Sequence, residues 1–172
     1  MNHSSNTNSG GWKGCDLRYD VLGSTNTNDG DATATTATNP VANTLMAALP
    51  SDLRAVMQPM TIYTDNTGGG SDNASYVTKT TDYLPLLAEY EIFGTRTYAN
   101  STEKNYQAQY AYYSAGNSKV KYRHSATGST AWWWERSPYS DAGNAFCIVY
   151  TNGGASYTAA WCSDGVAPAF RV

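Results

Sequence analysis

At 172 residues, with 41% hydrophobic and 15% charged residues, the chain suits one globular domain with its own core. A net charge of −3 argues against a sequence-independent grip on nucleic acid, which needs Lys and Arg to neutralise phosphates. No apolar run approaches membrane-spanning length, and the polar start lacks a signal-peptide pattern. Three widely separated Cys predict free thiols rather than a disulfide framework or a zinc site.

The first predicted element is a short helix over residues 12–22, with Gly23 as its stop. Residues 24–39 hold almost only Thr, Asn, Asp, Ala and Gly, which are unable to form a core. We therefore expect a long surface loop or insertion there.

Two further helices and a strand are predicted next. Asn43 is placed to cap a helix that runs through Leu49, and Ser51 to cap a second one that ends at Pro59. A strand over residues 60–64 follows.

Residues 65–74 form a Gly-rich loop without the Lys and following helix of a phosphate-binding loop. Its oxygen-bearing side chains, Asp65, Asn66, Asp72 and Asn73, leave a structural calcium ion open as an alternative to a plain turn. The spacing does not match an EF-hand, so the turn is favoured and no catalytic metal or other cofactor is expected.

The remaining elements are a core segment, a helix and several strands. Leucines and aromatics in residues 84–94 predict core, and residues 106–114 predict a helix that ends before Gly116. The sequence Asn152-Gly153-Gly154 predicts a hairpin turn. The candidate strands are 120–123, 130–136, 146–150, 156–160 and 167–172.

One basic stretch departs from the acidic balance of the chain. Lys119, Lys121 and Arg123 alternate with other residues, so a strand would place them on one face. A solvated strand edge is favoured over an anion-binding face, because Lys commonly protects edge strands.

The chain offers little catalytic machinery. It has only His3 and His124, and no nucleophile-elbow motif accompanies them. Glu89 and Glu91 flank Tyr90 in a core-like segment, where a structural role is expected. We therefore predict that the protein is not an enzyme.

The C-terminal segment has the composition of a contact surface. Of the 26 positions from Tyr139 to Asp164, 20 are Ala, Ser, Gly, Asn, Thr, Asp or Tyr, and none is Lys or Arg. A buried strand pair would be dominated by Val, Ile and Leu instead. Tyr and Trp supply large contact area at low entropic cost, and Ser, Gly and Asn supply adaptable hydrogen bonds.

Ordered motifs give the chain a family resemblance. Trp133-Trp134-Glu135-Arg136-Ser137-Pro138, then Phe146-Cys147-Ile148-Val149 and a terminal Gly165-Val166-Ala167-Pro168-Ala169-Phe170, resemble the variable proteins of diversity-generating retroelements. Glu135 departs from the Leu expected there. Further landmarks are Gly10-Gly11-Trp12, the run Leu45–Pro50, the loop Tyr63–Gly70, the segment Glu91–Gly94 and Gln109–Tyr113.

The resemblance implies a fold and a function. The fold would be α+β and C-type lectin-like, of the formylglycine-generating-enzyme kind, with a small, mostly antiparallel sheet, short helices and extensive loops. Residues 1–172 would be a single ligand-binding domain, the C-terminal part of a longer polypeptide. The function would be receptor binding at a phage tail tip, in the virion, with a bacterial surface protein or glycan as partner and a homo-oligomer within the tail assembly left open. The alternatives are an adhesin at a bacterial cell surface and an enzyme of the formylglycine-generating type.

The resemblance also implies a diversified segment at residues 132–172. Its variable positions would form the ligand-binding surface. Because buried aromatics dominate binding hot spots, we expect Tyr150, Tyr157 and Trp161 to be its anchors. Alternation along a strand predicts that Ile148 and Tyr150 point outward while Cys147 and Val149 face the core. The alternative is that the three anchors are ordinary packing aromatics. The candidate site residues are Asp141, Asn144, Ile148, Tyr150, Asn152, Gly154, Ser156, Tyr157, Thr158, Trp161, Cys162 and Asp164.

Two framework predictions accompany this surface. Trp133 or Trp134 should be buried, because neighbouring residues of a strand alternate between its faces. Arg136 should hydrogen-bond backbone carbonyls or a carboxylate and so hold the diversified loops in place.

Overall fold

The computed structural model describes residues 1–24 and 37–172 as short helices and short antiparallel strands. The α-helices of these residues are α1 (Leu45–Ala48), α2 (Ser51–Val56), α3 (Glu89–Phe93) and α4 (Ala111–Ser114). Their strands are β1 (Met60–Asp65), β2 (Val77–Asp82), β3 (Lys121–Arg123), β4 (Ala126–Ala131), β5 (Trp133–Pro138), β6 (Ala145–Val149) and β7 (Ala155–Ala159). They pair as β1–β2, β3–β4 and β5–β6–β7, all antiparallel. The predicted mixture of small antiparallel sheets and short helices is confirmed.

The N-terminal helix is shorter than predicted. Only Leu17–Val21 is helical, as a π-helical turn closed by the Leu22 N–H donating to the Leu17 carbonyl at 3.0 Å. Gly23 follows with a φ of +93°, a conformation that glycine adopts at little cost, so the predicted stop is confirmed. Trp12 and Leu22 are buried in the main core.

The predicted loop at 24–39 lies mostly outside the described residues. Of its described residues, Ser24 and Ala37 are buried, whereas Thr38 and Asn39 are exposed. Ser24 donates from Oγ to Asp82 at 3.1 Å. The surface-loop prediction is therefore wrong at Ser24 and Ala37.

Asp82 is the buried acceptor that ties this N-terminal region to β2. It accepts from Arg18 Nε at 2.8 Å and from Trp12 Nε1 at 3.1 Å. Thr80 Oγ1 donates to it at 2.8 Å. Because Arg18 and Asp82 are both inaccessible to solvent, each charge depends on the other for compensation.

The predicted caps of α1 and α2 are each displaced by one residue. Thr44 Oγ1 accepts the Ala47 N–H at 3.4 Å at the start of α1, while Asn43 lies before it with a φ of 64°. Ser51 is the first residue of α2, and Pro50 occupies the capping position.

Only the first strand of the β1–β2 hairpin was predicted from the sequence. The strand expected at 60–64 is β1, whereas β2 was not predicted because VTKTTD contains a single strongly apolar residue, Val77. Polar side chains nevertheless face inward, and Thr80 and Asp82 are inaccessible. Hydrogen bonds to Asp82 therefore replace the apolar alternation that normally marks a strand.

The central segment forms core as predicted. Leu84, Leu86 and Ile92 are buried, and α3 ends at Phe93, followed by Gly94 with a φ of 69°. The helix predicted over 106–114 is reduced to α4.

The basic stretch lies at the β3–β4 hairpin. Lys119 Nζ lies 5.6 Å from the centre of the Phe93 ring, and Lys121 Nζ lies 5.0 Å from that of Trp133. The strand register shifts between Tyr122 and Arg123, which interrupts the single basic face predicted from alternation.

The C-terminal strands differ from prediction at both ends. The strand expected at 130–136 is divided between the end of β4 and the start of β5. The strand expected at 167–172 makes only isolated bridges, Leu86 with Pro168 and Gln58 with Arg171. The predicted turn after β6 is confirmed, with the Tyr150 N–H donating to the Gly154 carbonyl at 2.8 Å.

The β5–β7 sheet separates two apolar clusters. Trp134, Phe146 and Ile148 belong to the larger cluster with Trp12, and Trp133 and Val149 belong to the smaller one with Ile92 and Tyr113. Trp133 and Trp134 are each 1% exposed, which confirms the predicted burial. Among the helices of the described residues, none has the length and apolar character to cross a membrane.

Candidate ligand-binding surface

The central strand β6 is buried on both faces. Ile148 is 1% exposed and packs in the cluster that contains Trp134, while Val149 packs on the opposite side with Trp133. The prediction that Ile148 points outward is therefore wrong. The prediction from strand alternation assumed that one face of the sheet is open to solvent, but other parts of the protein pack against both faces of β6.

The remaining strand positions of the candidate set do not share one face. Ser156 pairs with Ile148 and Tyr157 with Cys147, so Tyr157 lies on the opposite face from Ser156 and Thr158. Tyr157 is exposed, whereas Ser156 and Thr158 are half-buried. The single exposed face predicted for these side chains is wrong, although their roles in binding stay a prediction.

Tyr157 belongs to a group of three rings, which we call the tyrosine platform: Tyr98, Tyr139 and Tyr157. The rings of Tyr139 and Tyr157 stack with centres 4.3 Å apart and planes at 23°. Tyr98 meets both rings edge-on, at 5.6 Å from Tyr139 and 5.1 Å from Tyr157. Sequence reasoning missed Tyr98 and Tyr139, and the only available signal was the excess of Tyr.

Glu89, at the start of α3, positions Tyr98. The buried carboxylate accepts backbone N–H groups from Thr97 and Ala99 at 2.9 Å each and from Tyr98 at 2.9 and 3.0 Å. Charge-assisted hydrogen bonds of this kind are stronger than neutral ones. The loop that carries Tyr98 is therefore held by the core rather than left free.

Asn8 plays the corresponding role for the loop that carries Tyr139 and the candidate residues Asp141 and Asn144. Its buried Nδ2 group lies 3.2, 2.9 and 2.8 Å from the carbonyl oxygens of Tyr139, Ala142 and Ala145. The backbone of this loop is thus fixed, while the side chains of Asp141 and Asn144 are exposed.

Tyr150 stands at the other end of β6. It is 40% exposed and stacks on Trp132, with ring centres 5.2 Å apart and planes at 25°. The turn that follows is closed by Asn152 Oδ1, which accepts the Gly154 N–H at 2.9 Å. Tyr150, Asn152 and Gly154 therefore form one local group, and Tyr150 packs on a different partner from Tyr157.

The last candidate residues follow β7. Trp161 is 59% exposed, and Thr158 Oγ1 contacts Cys162 Sγ at 3.5 Å. Asp164 is half-buried, and burial raises its pKa while the positive N-terminus opposes that effect. The terminal amine itself donates to the Ala160 carbonyl at 2.8 Å, which anchors the chain next to Trp161.

Arg136 has the structural role predicted for it. Its side chain is buried, and both Nη atoms donate to the Glu91 carboxylate at 2.6 Å. Nε donates to Thr64 Oγ1 at 2.6 Å, and Nη1 also donates to the Leu86 carbonyl at 2.7 Å. The guanidinium thereby joins β5 to β1 and α3, while the predicted hold on the diversified loops stays a prediction.

Glu135, next to it on β5, is in the opposite situation. It is fully buried, and neither carboxylate oxygen has a hydrogen-bond partner among the described residues. Burial raises its pKa well above the usual value, and the nearby Glu89 and Glu103 add to this, while Arg136 opposes it. Burial therefore favours the neutral form of Glu135.

Two of the three thiols are unsuited to chemistry. Cys15 and Cys147 are inaccessible, and burial raises the pKa of Cys15 to about 12 and that of Cys147 well above its usual value. Because the thiolate is the reactive form, neither group is primed as a nucleophile. Cys162 is partly exposed and lies beside Thr158.

In the loop considered for calcium, side-chain oxygens already accept hydrogen bonds from backbone N–H groups of the protein. Asp65 Oδ1 accepts the N–H groups of Thr67 and Gly68 at 2.9 and 2.8 Å. Asp72 Oδ1 accepts the Ser101 N–H at 2.6 Å, and Asn73 Oδ1 accepts the Ser75 N–H at 2.9 Å. Within residues 1–24 and 37–172, the one group with metal-ligand geometry is His3, Asp16 and Asp20, at the surface.

The chain belongs to the DUF6273 family, a domain of unknown function whose model matches residues 1–172. No curated protein and no solved structure matches it.

Proposed function

We propose that this DUF6273 domain is a ligand-binding module that recognises a bacterial surface protein or glycan through aromatic side chains displayed by the β5–β7 sheet and its loops. The observation that carries the proposal is the exposure of Tyr157, 46%, on a strand that pairs with the fully buried β6. A packing aromatic at that position would be covered.

The exposed aromatics are large and numerous for so short a segment. Tyr150 is 40% exposed and Trp161 59%, in addition to Tyr157. Buried Tyr and Trp dominate the energetics of binding interfaces, and each of these can bury a large area when a partner covers it.

The tyrosine platform is also preorganised. Tyr139 and Tyr157 stack on each other, and the Glu89 carboxylate holds the loop that carries Tyr98. Side chains that are already ordered lose less conformational entropy on binding, which leaves more of the contact energy for affinity.

Binding is favoured over catalysis by the state of the thiols. An enzyme of the formylglycine-generating type needs a pair of reactive cysteines, whereas Cys15 and Cys147 are buried with raised pKa values. Only Cys162 is accessible, and one thiol does not supply the pair.

The resemblance to diversity-generating retroelement proteins supports the more specific part of the proposal. We propose a C-type lectin-like arrangement and receptor recognition at a phage tail tip, on the strength of the motifs around Arg136, Phe146 and Gly165. The same surface would serve an adhesin on a bacterial cell. A neighbouring reverse-transcriptase gene with a near-copy of the last segment would support diversification, and adjacent tail genes would favour the phage.

The test is a binding assay on bacterial cells. The labelled full chain and the variant Y150A/Y157A/W161A are compared over a panel of surfaces, with Y106A/Y112A/F170A as a control that removes three exposed aromatics elsewhere. We expect the control to bind like the parent and the first variant to lose at least tenfold in affinity while its circular dichroism is unchanged. Equal loss in both variants, or no loss in either, would contradict the proposal.

A further inference from the structure

A cleft of about 590 Å³ lies between the β3–β4 hairpin and residues 163–167. Lys121, Arg123 and His124 line it on the hairpin side, and Trp132 and Asp164 line it elsewhere. None of the three rings of the tyrosine platform lines this cleft. It is therefore a separate concavity, of a size usual for small-ligand sites.

The hairpin side of the cleft carries the cationic side chains of Lys121 and Arg123. Arg123 and His124 are exposed, and neither forms an ion pair with any other residue that the structure describes. Lys121 Nζ lies over the Trp133 ring at 5.0 Å, which holds it in place without neutralising it. In a protein of net charge −3, this local excess of positive charge favours an anionic ligand.

The other lining groups suit a ring that is apolar on its faces and hydroxylated at its edge. Tyr122 is 59% exposed, and Trp132 is held by its stack on Tyr150. Ser125 and Thr130 add hydroxyl groups to the same lining. Aromatic surfaces beside a few well-placed polar groups are the general composition of a small-molecule site.

Asp164 adds a specific requirement. Its Oδ2 atom is shielded from solvent and has no hydrogen-bond partner among the described residues. Because that oxygen is shielded, it is not a contact point for a ligand, and Asp164 acts on the cleft through its charge. A carboxylate here also disfavours a ligand that is anionic all round, such as a free phosphate.

We propose that this cleft binds an acidic saccharide, a pyranose ring that carries one carboxylate. Arg123 pairs with the ligand carboxylate, because guanidinium donors match that group in geometry and charge. Ser125 and Thr130 hydrogen-bond the ring hydroxyls, and Trp132 and Tyr122 contact the apolar face of the ring. This site contains no ring of the tyrosine platform, and it meets the surface proposed above at Asp164 and at the stack of Trp132 on Tyr150.

The experiment is an NMR titration of the full ¹⁵N-labelled chain with D-glucuronate and, as the neutral match, D-glucose. We expect glucuronate to shift the amide signals of residues 121–125 and 163–166 and the indole signal of Trp132. Glucose should bind at least fivefold more weakly. R123Q should weaken glucuronate binding at least fivefold, whereas K104Q, which removes one exposed positive charge outside the cleft, should leave it unchanged.

Three results would overturn the proposal: equal affinity for glucose and glucuronate, signal shifts that fall outside the cleft residues, or an R123Q variant that binds like K104Q. Because Arg123 is exposed and forms no ion pair within the described part of the chain, R123Q should remain folded, which the same spectra verify. The variant Y157A/W161A changes neither a cleft-lining residue nor the Trp132–Tyr150 stack, so it should lose cell binding but keep glucuronate binding, and failure of one proposal is separable from failure of the other.

Discussion

β6 and β7 are neighbouring strands of five residues each, but they stand in different surroundings. Every residue of β6 is buried, whereas those of β7 are half-buried or exposed. β6 pairs with β5 and β7 and separates two apolar clusters, while β7 pairs with β6 alone. The difference teaches that sequence change in this segment is tolerable at β7 and in the turns, and costly in β6.

The largest expected effect concerns β5, the other neighbour of β6. Arg136→Ala should lower the free energy of unfolding by about 3–5 kcal/mol, because it leaves the buried Glu91 carboxylate without its partner. The control Arg96→Ala removes a partly exposed pair with Asp72 and should cost about 1 kcal/mol or less. Urea denaturation measures both. A loss of stability below about 1 kcal/mol for Arg136→Ala would contradict the structural role assigned to Arg136.

The next prediction sets the two strands against each other directly. Ile148 and Ser156 are cross-strand partners on one face of the sheet. Ile148→Ala should cost about 3 kcal/mol, since it opens a cavity in the larger cluster. Ser156→Ala should stay within about 0.5 kcal/mol. Similar losses for the two variants, by the same denaturation measurement, would show that β6 and β7 do not differ as described.

Glu135 supplies a prediction of intermediate size with a defined pH dependence. Its folded-state pKa is raised, so the stability that depends on its neutral form is fully present below the unfolded pKa and is lost as pH rises through the folded pKa. Glu89, Glu103, Arg136 and Cys147 face this carboxyl group.

Glu135→Leu should therefore gain about 2 kcal/mol at pH 8, because burying an unpaired carboxylate is costlier than burying an apolar side chain. It should gain least near pH 4. Asp141→Leu, which removes an exposed carboxylate, is the control and should leave the pH dependence unchanged. Thermal melts between pH 4 and 8 give the comparison. A Glu135→Leu variant that is less stable than the parent at pH 8 would contradict the assignment of a buried carboxyl group without a hydrogen-bond partner among the described residues.

The smallest effect is expected at the tyrosine platform. Tyr157→Ala should cost about 1 kcal/mol of stability, because it removes two ring contacts from an exposed position. Tyr157→Phe keeps the ring and should stay within about 0.5 kcal/mol. If Tyr157→Ala unfolded the domain, the residue would be core, and the interpretation as ordinary packing would hold instead.

The features that could be predicted from the sequence are those set by residues close together in the chain. The buried Trp pair, the hydrogen-bonding role of Arg136 and the turn at Asn152 each depend on a few adjacent residues. The turn is set by its two glycines, and an Arg in a buried strand must find acceptors wherever the chain supplies them.

Features assembled from distant segments were not predictable. The tyrosine platform joins Tyr98 to Tyr139 and Tyr157 through three separate parts of the chain. Ile148 was misplaced because strand alternation identifies two faces but does not say that both are covered. β2 was not predicted because its inward side chains are polar. The main example is Asp82, whose hydrogen-bond donors Trp12 and Arg18 lie far away in the sequence.

The central claim is that the exposed residues between positions 141 and 164 bind the ligand, while the buried residues of β6 stabilise the fold. A saturation library over these residues, sorted first for protease resistance and then for cell binding, tests it most directly. We expect positions 145–149 to accept few substitutions in the first sort. Tyr150, Asn152, Tyr157 and Trp161 should accept most substitutions there and lose binding in the second. Equal restriction of Tyr157 and Ile148 in the first sort, or unchanged binding across the exposed positions, would contradict the claim.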